Sequence, residues 1–451
     1  NTLNGESNLT FDGSTLTVTG AASVSSDSTI NSISIGKGAN SVSGNTVLGE
    51  NALDAAVTGG NNTAIGQNTL TVLTSGTNNT AVGRNSLDAD TSGGNNTALG
   101  SGSLSTNISS HNNTAIGYAA LNLNTGGSNT AVGSNALAVN STGTYNTAVG
   151  SLALDACTTG NRNTAVGYEA ATAVTTAADV DAFGAYALYV NTTGTDNSAF
   201  GKSALGANTT GNDNVAIGRE AARQNTTGSN NVAIGHEALE KNTTGANNTA
   251  VGEGSLRNGT TGNYNVSVGN GSMSNATVTG DNNCAVGRNS LYSVTGGNHN
   301  TAVGGSAALY GCTTGTYNTA VGVDAGQNVS SGSNMTCIGY QAGTSSSPDG
   351  GITTGSNIII LGNNSVTDLK CKVSLTATSD ERDKADIIDF TKGLDIVNSL
   401  RPVTYKWDMR SNYSDDYSVT PDGTKKSNKT EIGLIAQEVE TVEKANGYAT
   451  S

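Results

Sequence analysis

The chain has 451 residues, 60 of them glycine, with aromatic residues at 4%, charged residues at 12% and a formal net charge of −14. So few large apolar side chains exclude a conventional globular core, because burial contributes roughly 25 cal/mol per Å²; such a chain must repeat, share its core with other chains, or stay disordered. No basic stripe points to nucleic acid, and no run of apolar residues reaches the roughly 18 needed for insertion into a membrane.

Residues 1–40 contain NLTFDGSTLTVTG, in which Leu9, Phe11, Leu16 and Val18 alternate with polar residues about a DG turn. This pattern predicts a β-hairpin, with further short strands around Ile33 and Ile35. The chain starts at Asn1 with no basic-then-apolar leader, so a preceding attachment domain is expected.

From Gly49 to Gly339 a motif of the form NNTAVGxxALxxNTTGx recurs, with marker glycines at a period of 17 residues and three single-residue slips. A fixed short period over that distance predicts a solenoid for residues 41–343. The NTAVG stretch is short, β-branched and bounded by turn residues, so it reads as a strand. The following Ala-Leu, as in Ala238 and Leu239, supplies a second apolar anchor. The NTTG stretch, as in Asn225 to Gly228, reads as a turn whose Asn and Gly accept positive φ. Stacked coils would place Asn above Asn and Thr above Thr at about 4.8 Å, giving a rod roughly 80 Å long. Each coil offers few apolar side chains against roughly 1–2 kcal/mol of backbone entropy per ordered residue. A core shared among several chains is therefore expected, in an oligomeric fibre. The TAVG repeats resemble the β-roll heads of trimeric bacterial adhesins and repeats of bacteriophage tail fibres. Residues 344–378 read as a neck, with NIIILG at Gly362 as a last irregular rung and a strand over Leu369–Leu375.

After Thr378 the composition changes: 24 of the last 73 residues are charged, against 32 of the preceding 378. Thr391 is placed to cap a helix carrying Leu394, Val397 and Leu400, ended by Pro402. Val403, Tyr405 and Trp407 alternate as a strand, and Ile432 and Leu434 lead into a second helix with Ile435, Val439 and Val442. The blocks SDERDKADI (379–387), LRPVTYKW (400–407) and EIGLIAQEVE (431–440) resemble, in that order, the intramolecular chaperone of endosialidases and phage tail spikes. The resemblance covers the first part of that domain, so a continuation beyond Ser451 is expected. It implies an α+β domain over residues 379–451 that assembles three chains, helps their β-fibre fold and then cuts itself off. It places the cut at Ser379, beside Asp380, with Ser379 and Lys384 as the catalytic pair.

A Ser/Lys pair suffices for peptide cleavage when the lysine is neutral and takes the hydroxyl proton. Asp380, Glu381, Asp383 and Asp386 oppose this by raising the lysine pKa. Five residues correspond to about 140° on a helix and to opposite faces of a strand. The pair can therefore meet only across a turn or between chains, which would make cutting conditional on assembly.

Other candidates read as structural. Cys157, Cys284, Cys312, Cys337 and Cys371 lack metal or redox spacing and read as semi-buried residues of a reduced compartment. His111, His236 and His299 fall in turns without a second ligand nearby, so no metal or other cofactor is expected. Tyr145, Tyr264 and Tyr317 share one register and Tyr118, Tyr168 and Tyr340 another, suited to interchain packing or to stacking on sugars. The array offers no paired carboxylates for glycoside cleavage, and its N-x-T triplets follow from the repeat. The expected protein is a homotrimeric virion tail fibre, made in the host cytoplasm and joined to tail or baseplate proteins. It would contact a host-surface receptor, a glycan among the candidates, without entering the membrane. The alternative is a trimeric adhesin on a bacterial surface.

Overall fold

The computed structural model describes residues 9–11, 16–18, 27–348, 350–370, 393–408 and 420–445, which fall into two units, 1–368 and 369–451. In the first unit Leu9–Phe11 pairs antiparallel with Leu16–Val18, setting Phe11 opposite Leu16 as the DG turn predicts. Ser28–Ile30 and Ile33–Gly36 form a second hairpin, whose second strand pairs antiparallel with Thr46–Gly49. From there to Ile359–Leu361 each short strand is parallel to the next, one per coil, in a β-solenoid of about 17 turns. Among the described strands no pairing returns from Ile359–Leu361 to the first, so the ladder is open.

The register follows the repeat. Val232, Ala233 and Ile234 pair with Thr249, Ala250 and Val251, so inward alanines stack on one another. Other sides of the coil are stitched as well: Ala222, Gln224 and Thr226 donate their N–H groups to the carbonyls of Ala238, Glu240 and Thr243, each at 2.9 Å. Ile359–Leu361 adds the last rung by pairing with Thr336–Ile338 after a longer coil. Leu369 and Lys370 are not in a strand, and the rest of that expected strand lies outside the described residues.

The interior corrects the argument from a thin core. Ala233, Ala238 and Leu239 are fully buried within one chain, as are their counterparts in most coils. Two columns of buried asparagine fill the remaining space. In one, the Asn231 N–H donates to Asn214 Oδ1 at 3.0 Å, and Asn231 Nδ2 donates to Gly245 O at 2.9 Å. In the other, Asn225 Nδ2 donates to Asn208 Oδ1 at 2.8 Å and to Gly228 O at 2.9 Å. Amides with satisfied partners can occupy an interior that apolar groups would otherwise have to fill. Each coil thus closes on itself, and a shared core is not what would bring three chains together.

The turn chemistry also differs from expectation. Neither Asn225 nor Gly228 has positive φ. A glycine is required at 228 because a Cβ there would sit 2.3 Å from Gly245 O. Positive φ falls instead on the marker glycines, such as Gly235 at 135°, on the residue two before each strand of the solenoid, such as Asn230 and Asn247 at 59°, and on buried leucines such as Leu205 at 50° and Leu239 at 53°. A left-handed leucine costs about 1–2 kcal/mol, while full burial of its side chain contributes about 1.5–3 kcal/mol. Burial wins at this corner, which is why leucine recurs there.

In the second unit, helix Gly393–Ser399 precedes strand Val403–Tyr405, which pairs antiparallel with Glu431–Gly433 ahead of helix Ala436–Ala445. These elements match the predicted ones in type and order, but Trp407 lies past the strand, Leu400 past the first helix and Ile435 just before the second. Leu400, Leu434, Ile435, Val439 and Val442 line a small cleft beside the second helix. Leu394, Val397 and Ile432 nevertheless remain 62–80% exposed, and neither helix has a buried residue. Thr391 lies outside the described residues.

Candidate binding surface and processing segment

One register of the solenoid carries an ordered change of chemistry. Five residues after successive marker glycines stand Tyr189, Gly206, Arg223, Glu240, Arg257, Ser274 and Tyr292. The parallel coils stack these side chains in a row, so spacing along the row is set by the strand ladder at about 4.8 Å. At its centre the buried Glu240 carboxylate accepts from Arg223 at 2.7 Å and from Arg257 at 2.8 Å. Burial alone would lift that carboxyl's pKa, but the two guanidinium groups outweigh it and hold it below the usual carboxylate value. Arg257 also reaches Glu237 at 3.1 Å.

On either side of this triad a small residue leaves a gap. Gly206 opens a recess of about 310 Å³ lined by Tyr186, Tyr189, Ser203, Ala207, Arg223 and Gln224. Ser274 helps to open another of about 320 Å³, bounded by Glu253, Arg257, Asn270 and Tyr292. The wall of the first recess is built of packed rings: Tyr186 stands edge-on to Tyr168 at 5.5 Å and to Tyr189 at 5.6 Å. An aromatic face beside a guanidinium and a primary amide can stack on the apolar face of a sugar ring. The same groups can donate hydrogen bonds to its hydroxyl or carboxylate oxygens. The sequence singled out Tyr168 but not Tyr186, Tyr189 or Arg223. The signal was the run Tyr189, Gly206, Arg223 in one register, where a glycine stands between two long side chains.

The remaining candidates have local roles. Tyr145, Tyr264 and Tyr317 are exposed at positive-φ corners, and Tyr118 and Tyr340 are exposed after marker glycines. The His299 ring stacks on Tyr317 at 5.0 Å. His111 Nδ1 accepts the Gly94 N–H at 2.8 Å, and His236 Nε2 accepts from Arg219 at 3.1 Å. Among the described residues no three metal-binding side chains come together. Cys157, Cys284, Cys312 and Cys337 are free thiols. Burial pushes Cys157, Cys312 and Cys337 up to about 11. Cys371 lies outside the described residues, as do Ser379, Asp380 and Lys384.

Residues 379–448 match the family model described as chaperone of endosialidase. This family implies homotrimer formation. No curated protein and no solved structure shows a significant match to the chain.

Proposed function

We propose that the chain is a structural tail fibre of a bacteriophage, which attaches the particle to a host cell and is trimerised by its C-terminal chaperone. The observation that carries this reading is the order of parts: a solenoid of about 17 turns followed by a chaperone match over residues 379–448. A rod contributes reach and repeated weak contacts, which suits multivalent attachment. The exposed Leu394, Val397 and Ile432 suit a segment that packs on other chains. The recess at Tyr186, Tyr189 and Arg223 suits a receptor glycan.

In this reading the Ser379 hydroxyl attacks the scissile peptide carbonyl. Lys384 takes its proton and returns it to the leaving amine, and water hydrolyses the resulting ester to a carboxylate and free serine. Assembly brings the pair together and the cut discards the chaperone. Other partners would be tail or baseplate proteins, and the mature location the virion. The test is intact mass and native mass of the expressed chain, with Ser379→Ala and Lys384→Ala alongside. A product ending at Ser379 in a three-chain particle, and uncut variants, are expected. Normal cutting of Ser379→Ala would remove the processing assignment, and an uncut single chain would remove the assembly role too.

A further inference from the structure

The repeats serve as an internal alignment, because each coil places the same register in the same surroundings. Outward positions should then vary freely unless something covers them. The residue after the marker glycine does vary, as Gln67, Arg84, Tyr118, Lys202 and Glu253 show. The first residue of the strand, also outward, is mostly Thr but becomes Asp181, Ser198, Val215 and Cys284. The third residue behaves differently: in every strand from Thr46–Gly49 to Ile359–Leu361 it is Leu, Ile, Val or Phe. Yet it faces out. Leu99, Ile217 and Ile338 are 46%, 42% and 44% exposed, and Phe183 stacks on Phe200 at 4.8 Å.

Strand preference alone does not account for this. Thr and Tyr satisfy it equally, and Leu48, Leu99 and Leu361 have no β-branch. The result is an unbroken apolar stripe running the length of the solenoid, roughly 85 Å at the strand spacing. Isolated apolar residues on a surface need no explanation, but a contiguous run marks a protein interface.

We propose that this stripe is the face by which copies of the chain meet, parallel and in register, in the homotrimer. Three observations select this occupant. A partner touching every coil must present apolar groups at the same spacing over the same length, and a second copy does. Only one charge, Asp181, stands in the two outward columns of the strand face, so nothing favours an oppositely charged partner. The chaperone match implies a homotrimer, while the coils, already closed, supply no other reason for chains to associate. The inference rests on the assembly reading above and adds the surface to it. The Tyr189–Arg223 recess is lined by residues that follow the marker glycine and by none of the stripe.

The test uses the full chain. Ile217→Lys with Ile234→Lys places two cations on positions that are exposed in a single chain, so folding of the coil should survive. Gln67→Lys is the control. Native mass should fall from three chains to one in the double variant, with β-sheet circular dichroism retained, and should not change in the control. A second measurement covers failure of the variant to fold. In a Cys284→Ser background, Ile217→Cys should give disulfide-linked chains on oxidation, while Thr226→Cys on a turn should not. A wild-type single chain would remove the assembly reading and this inference together. A wild-type trimer whose lysine variants remain trimers, or whose cross-link forms at 226 and not at 217, would remove this inference alone.

Discussion

Asn225 donates through one amide hydrogen to Asn208 Oδ1 in the preceding coil and through the other to Gly228 O in its own turn. It also accepts from Asn242 Nδ2 at 2.6 Å. Three hydrogen bonds thus fix one buried side chain, and its neighbours depend on it. Asn225→Ala removes the donor to Asn208 and the acceptor for Asn242 together. Leaving buried partners unsatisfied costs about 1–3 kcal/mol each. Thermal unfolding of Asn225→Ala should begin well below that of wild type, and an unchanged midpoint would show that the column is decorative.

The same column is interrupted at Cys157, whose thiol contacts Gly160 O at 3.8 Å in the place where asparagine normally donates. Asn140 Oδ1, one coil earlier, is buried without a hydrogen-bond partner. Cys157→Asn would supply the missing donor to Asn140 and extend the ladder by one coil, up to the apolar Val174 of the next coil. A net gain of about 1 kcal/mol is expected, read as a higher unfolding midpoint. An asparagine that lowers the midpoint would mean that the coil has relaxed around sulfur.

The period, the strands and the final rung were legible because each coil repeats one local pattern that turn chemistry and β-branching mark plainly. Closure of the core within one chain was not legible. Counting apolar side chains treats Asn214 and Asn231 as polar surface, whereas stacking turns them into an interior hydrogen-bonded column. The left-handed leucines were missed for a related reason: propensity rules place positive φ on Asn and Gly, and burial of Leu239 overrides them. At the binding surface the sequence offered only scattered tyrosines. The contrast between Gly206 and its neighbours Tyr189 and Arg223 becomes visible once the coils are stacked. The Ser379–Lys384 pairing stays a proposal, since both residues lie outside the described part of the chain.

For the proposed receptor role, Tyr189→Ala is the cleanest probe. The ring is half-exposed and forms a recess wall without entering the Arg223–Glu240–Arg257 triad. Removing a central aromatic anchor typically costs about 2 kcal/mol, or about 30-fold in affinity. Adsorption to host cells should fall by at least that factor in a multivalent particle, with Tyr145→Ala as an exposed control. Equal adsorption of the two variants would move the receptor site elsewhere.

Two buried carboxylates should give the solenoid opposing pH responses. Asp90 occupies a position of the asparagine column, and burial raises its pKa from 3.8 to about 6, despite hydrogen bonds from Gly93 and Ser92 and the nearby His111. The folded state therefore holds a proton that the unfolded chain has released. Stability must fall as pH rises from about 4 to 6, by about 1.4 kcal/mol per unit at most. Burial also raises Asp88 and Asp155, so Asp90→Asn should reduce that slope and raise the unfolding midpoint at pH 7.5. Glu240 has the opposite sign: its pKa lies below 4.5 because Arg223 and Arg257 outweigh burial, so its contribution is present above that value. It is lost as pH falls through the folded value. Glu240→Gln should lower the midpoint at pH 7.5 by the equivalent of about 1–3 kcal/mol and flatten only the acid limb. Melting curves between pH 3 and 8 separate the two carboxylates, because each substitution flattens a different window. If Asp90→Asn leaves the slope between pH 4 and 6 intact, the proton is held elsewhere in the array.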